Sequence, residues 1–101
     1  MKVSSKWSLP ADHPCLPGHF PGQPIVPGVV LLSEVARLAR QAFALGDKAL
    51  SWQRIKFLAP VEPNQVVTVG LDGDAERFAF HITDAQGSTI ARGQARHDPL
   101  A

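Results

Sequence analysis

His19-Phe-Pro-Gly-Gln-Pro-Ile-Val-Pro-Gly-Val-Val-Leu-Leu-Ser-Glu34 is the stretch on which the reading of this 101-residue chain turns. Pro21, Pro24 and Pro27 fix φ and remove backbone donors, while Gly22 and Gly28 permit close approach or positive φ. Such a loop is costly to order and has no obvious packing purpose, which points to a site. It feeds straight into the only convincing helix, predicted from near Gly28 to about Leu45 and closed by Gly46. At about 100° per residue, Ser33, Arg37, Arg40 and Gln41 fall on one polar stripe, with Glu34 at its edge. Val30, Leu31, Val35, Leu38, Ala42 and Leu45 cover much of the remaining surface. A helix this broadly apolar is wrapped by other structure.

On either side of the helix the hydrophobic period shortens towards alternation. Before it, Val3–Leu9 reads as a short strand with Trp7 and Leu9 on one face, stopped by Pro10, and Ala11–Pro27 is too proline-rich for regular structure. After it, Ala49–Leu58 sets Ile55 and Phe57 opposite Arg54 and Lys56, and Pro60 and Pro63 bracket a turn. Gln65–Leu71 is rich in valine and threonine and leads into a hairpin turn at Asp72-Gly73-Asp74. Arg77–Thr83 alternates, with Phe78, Phe80 and Ile82 on one face. A turn at Asp84–Gly87 then precedes a last strand, Ser88–His97. Three hairpin-linked strands after a helix predict an α+β fold: an antiparallel sheet of about five strands around one helix, in a single domain spanning residues 1–101.

Composition narrows the function. Ten basic and nine acidic residues leave a net charge of +1, which supplies no field for nucleic acid or an anionic membrane. The lone Cys15 has no internal disulfide partner and fits a reducing cytoplasm. No secretory signal is legible, and the longest apolar run, Gly28–Leu32, falls far short of the roughly 20 residues of a membrane span. An apolar fraction of 45% supports a core, but one this small gains from oligomerisation.

Within the opening stretch, His19 has the right intrinsic acidity for a general base near neutrality, and its rigid setting gives it a fixed geometry. Pro27-Gly28 starts the helix, whose first turn presents N–H groups and partial positive charge to an anion or a developing oxyanion. A side chain at Gly28 would obstruct a carbonyl approaching those donors. Glu34 is a candidate acid or a partner for His19, and equally a plain i,i+3 pair with Arg37. Ser33 lies in the centre of the polar stripe without the context of a nucleophile. His13, His81 and His97 lack metal-ligand spacing, and there is neither a dinucleotide fingerprint nor a phosphate loop, so no metal or cofactor is expected. Arg37, Arg40, Arg54, Lys56, Arg92 and Arg96 either rim a cleft that attracts an acidic partner or form ordinary solvated surface.

Gly18-His-Phe-Pro-Gly-Gln-Pro-Ile-Val-Pro-Gly-Val-Val-Leu31 resembles the signature of the bacterial 3-hydroxyacyl-acyl-carrier-protein dehydratases of the hot-dog fold, and Lys56-Phe-Leu-Ala-Pro-Val-Glu-Pro63 resembles their second half. The likeness runs from about Val3 and reads as a trimmed, divergent member. It implies that His19 removes the α-proton of a 3-hydroxyacyl thioester held on the phosphopantetheine arm of an acyl carrier protein. It further implies that the N–H of Gly28 meets the thioester oxygen, and that Val29 and Ser33 line the substrate. A helical carboxylate from the facing subunit of a dimer would protonate the departing hydroxyl, without a cofactor. That carboxylate stands, in the family, where this chain has Ser33; Glu34 comes one residue later, turned by about 100°. The expectation is therefore a dehydratase whose acid is Glu34 or is replaced around Ser33, with a hot-dog thioesterase or a non-catalytic carrier-protein-binding module as the alternatives.

Overall fold

The computed structural model describes residues 1–12 and 25–97. Their element order is β1 (Lys2–Trp7), α1 (Gly28–Phe43), β2 (Leu50–Phe57), β3 (Val67–Gly73), β4 (Arg77–Thr83) and β5 (Thr89–His97). The strands form one five-stranded sheet in the order β1-β3-β4-β5-β2, and every neighbouring pair is antiparallel. The α+β hot-dog expectation is met: the three hairpin-linked strands sit at the centre, and β1 and β2, which flank the helix in sequence, close the two edges. Among the described residues no helix is long and apolar enough to cross a membrane.

Alternation along the strands sorts their side chains. Val67, Val69 and Leu71 of β3, Phe78, Phe80 and Ile82 of β4, and Ala91 and Ala95 of β5 point to the helix side and are buried. Against them α1 lays Leu31, Val35, Leu38, Ala39 and Phe43. Each large side chain buried here stabilises the fold by about 1.5–3 kcal/mol over leaving it in water. Aromatic contacts fix the layers: Phe43 of the helix tilts against Phe78 with ring centroids 5.5 Å apart, and Trp52 meets Phe80 edge-on at 5.8 Å.

Several boundaries depart from the sequence expectation for local reasons. Helix α1 ends at Phe43, and its left-handed cap is Ala44 (φ 54°); Gly46 is left-handed too (φ 60°) but follows two residues later. The N–H of Leu45 then reaches back to the carbonyl of Arg40 at 3.3 Å, and Leu45 is buried beneath that turn. Burial of Leu45 thus sets the helix end at Phe43, two residues earlier than expected and three before the glycine. The first strand stops at Trp7, yet Leu9 stays in the core because its carbonyl accepts the N–H of Asn64 at 2.7 Å. Strand β2 does not alternate throughout: Arg54 has φ 55°, and the register with β5 shifts between Gln53 and Lys56. This bulge exposes Gln53 and Arg54 in succession before Ile55 returns to the core side. Strand β3 begins at Val67 and runs through Gly73, so the β3–β4 turn lies at 74–76. There Asp74 accepts the N–H groups of Glu76 (2.8 Å) and Arg77 (3.1 Å), which hold its carboxyl below the ordinary aspartate value.

Candidate active site

The start of α1 is built by three pieces of chain. Residues 25–27 arrive extended, pinned where the N–H of Val26 donates to the carbonyl of Val61 at 2.8 Å. Pro27 then occupies the cap position with φ −61° and ψ 145° and provides no side-chain cap. Its carbonyl accepts the N–H of Val30 at 3.0 Å and of Leu31 at 3.4 Å. The N–H groups of Gly28 and Val29 meet no acceptor among the described residues, and no acidic side chain occupies the first turn to neutralise its positive end.

The third piece is the end of β2. The ring of Phe57 stands against Gly28 so closely that a Cβ there would lie 2.8 Å from its Cζ. Phe57 and Leu58 are each about half exposed, and Val29 is 69% exposed, which gives the helix start an apolar rim. Beside it runs a groove of about 450 Å³ lined by Val26, Gly28, Leu31, Phe57 and the 58–61 segment. Positive donors beside an apolar groove suit a neutral thioester that acquires enolate character: the groove desolvates the tail while N–H groups meet the oxygen. The sequence reading found the donors but not the aromatic wall. Its visible signal was Phe57-Leu58, two large apolar residues ending a strand just before Pro60.

The next turn separates Ser33 from Glu34. Ser33 is exposed, on the same stripe as Val29, Arg37 and Gln41, and its hydroxyl donates to the carbonyl of Val29 at 2.9 Å. Its proton is therefore committed to the helix backbone. Glu34 was expected at the edge of the polar stripe, but it turns inward and is 6% exposed, sharing a face with Leu31 and Leu38. Both of its oxygens are taken by Arg37: Nε donates to Oε2 at 2.9 Å and Nη2 to Oε1 at 2.5 Å. The remaining guanidinium nitrogen, Nη1, reaches Gln41 at 3.1 Å. The hydrogen bonds to Glu34, and then its charge, hold the Arg37 guanidinium above its usual range, so it stays cationic throughout. His19 lies outside the described residues, as do His13 and Cys15. Val29 and Ser33 are brought together on the exposed stripe of the helix, Gly28 lines the groove beside Leu31 and Phe57, and Glu34 is turned inward, away from both.

Comparison with known proteins agrees with this architecture. The family model described as ApeI-like, ApeI dehydratase, matches residues 1–94. The chain belongs to the ApeI-like dehydratase family. Among curated relatives of this ApeI-like chain, a 3-hydroxyacyl-[acyl-carrier-protein] dehydratase FabZ from Mannheimia succiniciproducens is 32% identical over 97 residues, covering 90% of this chain and 61% of its own. The FabZ of Syntrophomonas wolfei subsp. wolfei is 28% identical over 89 residues, covering 88% of this chain and 60% of its own. The ApeI-like chain thus spans about 60% of the length of these relatives. Among solved structures, the dehydratase heterocomplex ApeI:P from Xenorhabdus doucetiae shares the fold with a TM-score of 0.81 at 24% identity, covering 94% of this chain and 85% of that one.

Proposed function

We propose that this ApeI-like chain dehydrates 3-hydroxyacyl thioesters, carried by an acyl carrier protein, to trans-2-enoyl thioesters. The observation that carries the reading is the helix start at Gly28, where the N–H groups of Gly28 and Val29 meet no acceptor among the described residues and Gly28 lines an apolar groove. In the proposed mechanism the N–H of Gly28 donates to the thioester oxygen, which lowers the cost of removing the α-proton. His19 takes that proton as general base. The C3–O bond then breaks, the electron pair left on Cα forms the double bond, and the hydroxyl leaves as water once protonated.

The proton donor is the part that the described residues do not hold. Ser33 occupies the position of the family's helical acid, but its own proton is bonded to the carbonyl of Val29, and Glu34 is buried beneath Arg37. We infer that the acid reaches His19 from a second hot-dog subunit with a carboxylate at the matching exposed helix position. The ApeI relative works in a heterocomplex, which favours the same kind of pairing for this chain. Hydration of an enoyl thioester on a carrier protein, run in reverse, tests both parts. Activity should require His19 and vanish in His19→Ala. Alone, the chain should be slow, and Ser33→Glu should accelerate it by restoring an outward carboxylate. An unchanged rate in His19→Ala refutes the base, and free-thiol release without hydration would assign a thioesterase instead.

A further inference from the structure

The basic residues of this nearly neutral chain are not spread evenly. Lys2, Lys6, Lys56, Arg77, Arg92 and Arg96 are all exposed strand residues facing away from the helix, and the only carboxylate in the five strands is Asp72. Asp72 is paired with Lys2 at 4.0 Å, and Asp74 and Glu76 crowd the hairpin beside Arg77. The compensation stops short of the β2 side. There the register aligns His81 with Arg92 and Arg92 with Lys56 in one row across three strands. The bulge turns Arg54 outward beside them. These four residues line a groove of about 660 Å³, and Arg54, Lys56 and Arg92 have no carboxylate partner among the described residues. His81 is tied to Thr89, Nε2 to Oγ1, at 2.7 Å. Three like charges left together without counter-ions favour an anionic partner.

We infer that this groove is the docking surface for the acidic carrier protein. The assignment rests on the proposed carrier-bound substrate and adds to it the place of contact. Its position is the argument: Lys56 immediately precedes Phe57, whose ring stands against Gly28. A partner seated on Arg54, Lys56 and Arg92 is therefore held one strand end away from the donors, within reach of a flexible phosphate-linked arm. The balanced total charge disfavours a long polyanion, which would also meet Asp74 and Asp84 in the turns at the two ends of β4, whereas a compact acidic protein fits the local patch.

Arg54→Glu/Arg92→Glu tests it, since both side chains are exposed and neither belongs to the catalytic machinery. With enoyl substrate on the carrier protein, kcat/KM should fall about tenfold or more and its dependence on salt should flatten. With the same acyl group on free pantetheine, kcat/KM should not change. Equal losses on both substrates, or no loss on either, would overturn the docking surface. Titrating unloaded carrier protein into the full chain separates this from catalysis. Should wild type turn over neither substrate, the dehydratase reading fails, and weakened carrier binding in the double variant still upholds the surface. Unchanged binding overturns it, as does equally tight binding of a short duplex DNA. Lys6→Glu, at the opposite edge, should leave carrier binding intact.

Discussion

Gly28→Ala is the sharpest perturbation of the helix start. The added Cβ would stand 2.8 Å from Cζ of Phe57 and 3.2 Å from both Cε atoms. Carbon atoms pack best at about 3.5–4.0 Å, so the ring must withdraw by roughly 0.5–1 Å. It is half exposed and has room to do so. Alanine also favours helix over glycine by about 0.5–1 kcal/mol, which offsets the displacement. Stability should therefore change by less than about 1 kcal/mol, a Tm shift of no more than roughly 4–8 °C for a domain this size. Activity should not survive so well. The methyl group and the displaced ring both crowd the approach to the Gly28 N–H, and losing one oxyanion donor costs about 10²–10³ in kcat. The assay is enoyl-thioester hydration beside thermal melting of the same sample. Full activity in a folded Gly28→Ala protein would refute the donor. Adding Phe57→Ala apportions the loss: recovery assigns it to the ring, and no recovery assigns it to the methyl group itself.

Other expectations concern the frame. Ala44→Gly should stabilise the fold by about 0.5–1 kcal/mol, because the position is left-handed (φ 54°) and glycine takes that conformation without strain; a raised Tm checks it. Arg37→Ala leaves the buried Glu34 carboxylate without its cation and should cost about 1–2 kcal/mol, less than a fully buried pair because Arg37 is half exposed. Denaturant unfolding measures this, and Glu34→Gln in the same background should recover much of it. Asp74 titrates below its ordinary value because the folded hairpin bonds its ionised form. Its contribution is therefore present above the unfolded aspartate pKa and is lost as pH falls through the folded one. Asp74→Asn should remove that part of the acid sensitivity, and a titration of Asp74 at or above the ordinary value would refute the assignment.

The fold was legible because periodicity changes character where the structure does. Phe78, Phe80 and Ile82 alternate without interruption, and Arg77–Thr83 is the strand as observed. What sequence pattern could not supply was tertiary compensation. The end of α1 is decided by where Leu45 can be buried, so the left-handed cap falls on Ala44, ahead of the left-handed Gly46 that was expected to close the helix. The bulge at Arg54 is equally silent, since Gln53, Arg54 and Lys56 read as ordinary polar residues of an alternating strand. At the site, the one-residue step between Ser33 and Glu34 was visible as spacing. Its meaning needed the packed helix, which sends one side chain to solvent and the other under Arg37.

The two ends of that helix are finished differently. At its C-terminus Arg40 Nη1 clasps the carbonyls of Gly46 (3.0 Å) and Lys48 (2.7 Å), and Leu45 is sunk in the core. At its N-terminus no side chain caps the backbone among the described residues. On the proposed reading the thioester does for Gly28 what a serine or aspartate does at an ordinary helix start. Occupancy and folding are then coupled: amides of the first turn should exchange slowly only while acyl cargo is bound, and the empty protein holds its helix from one end.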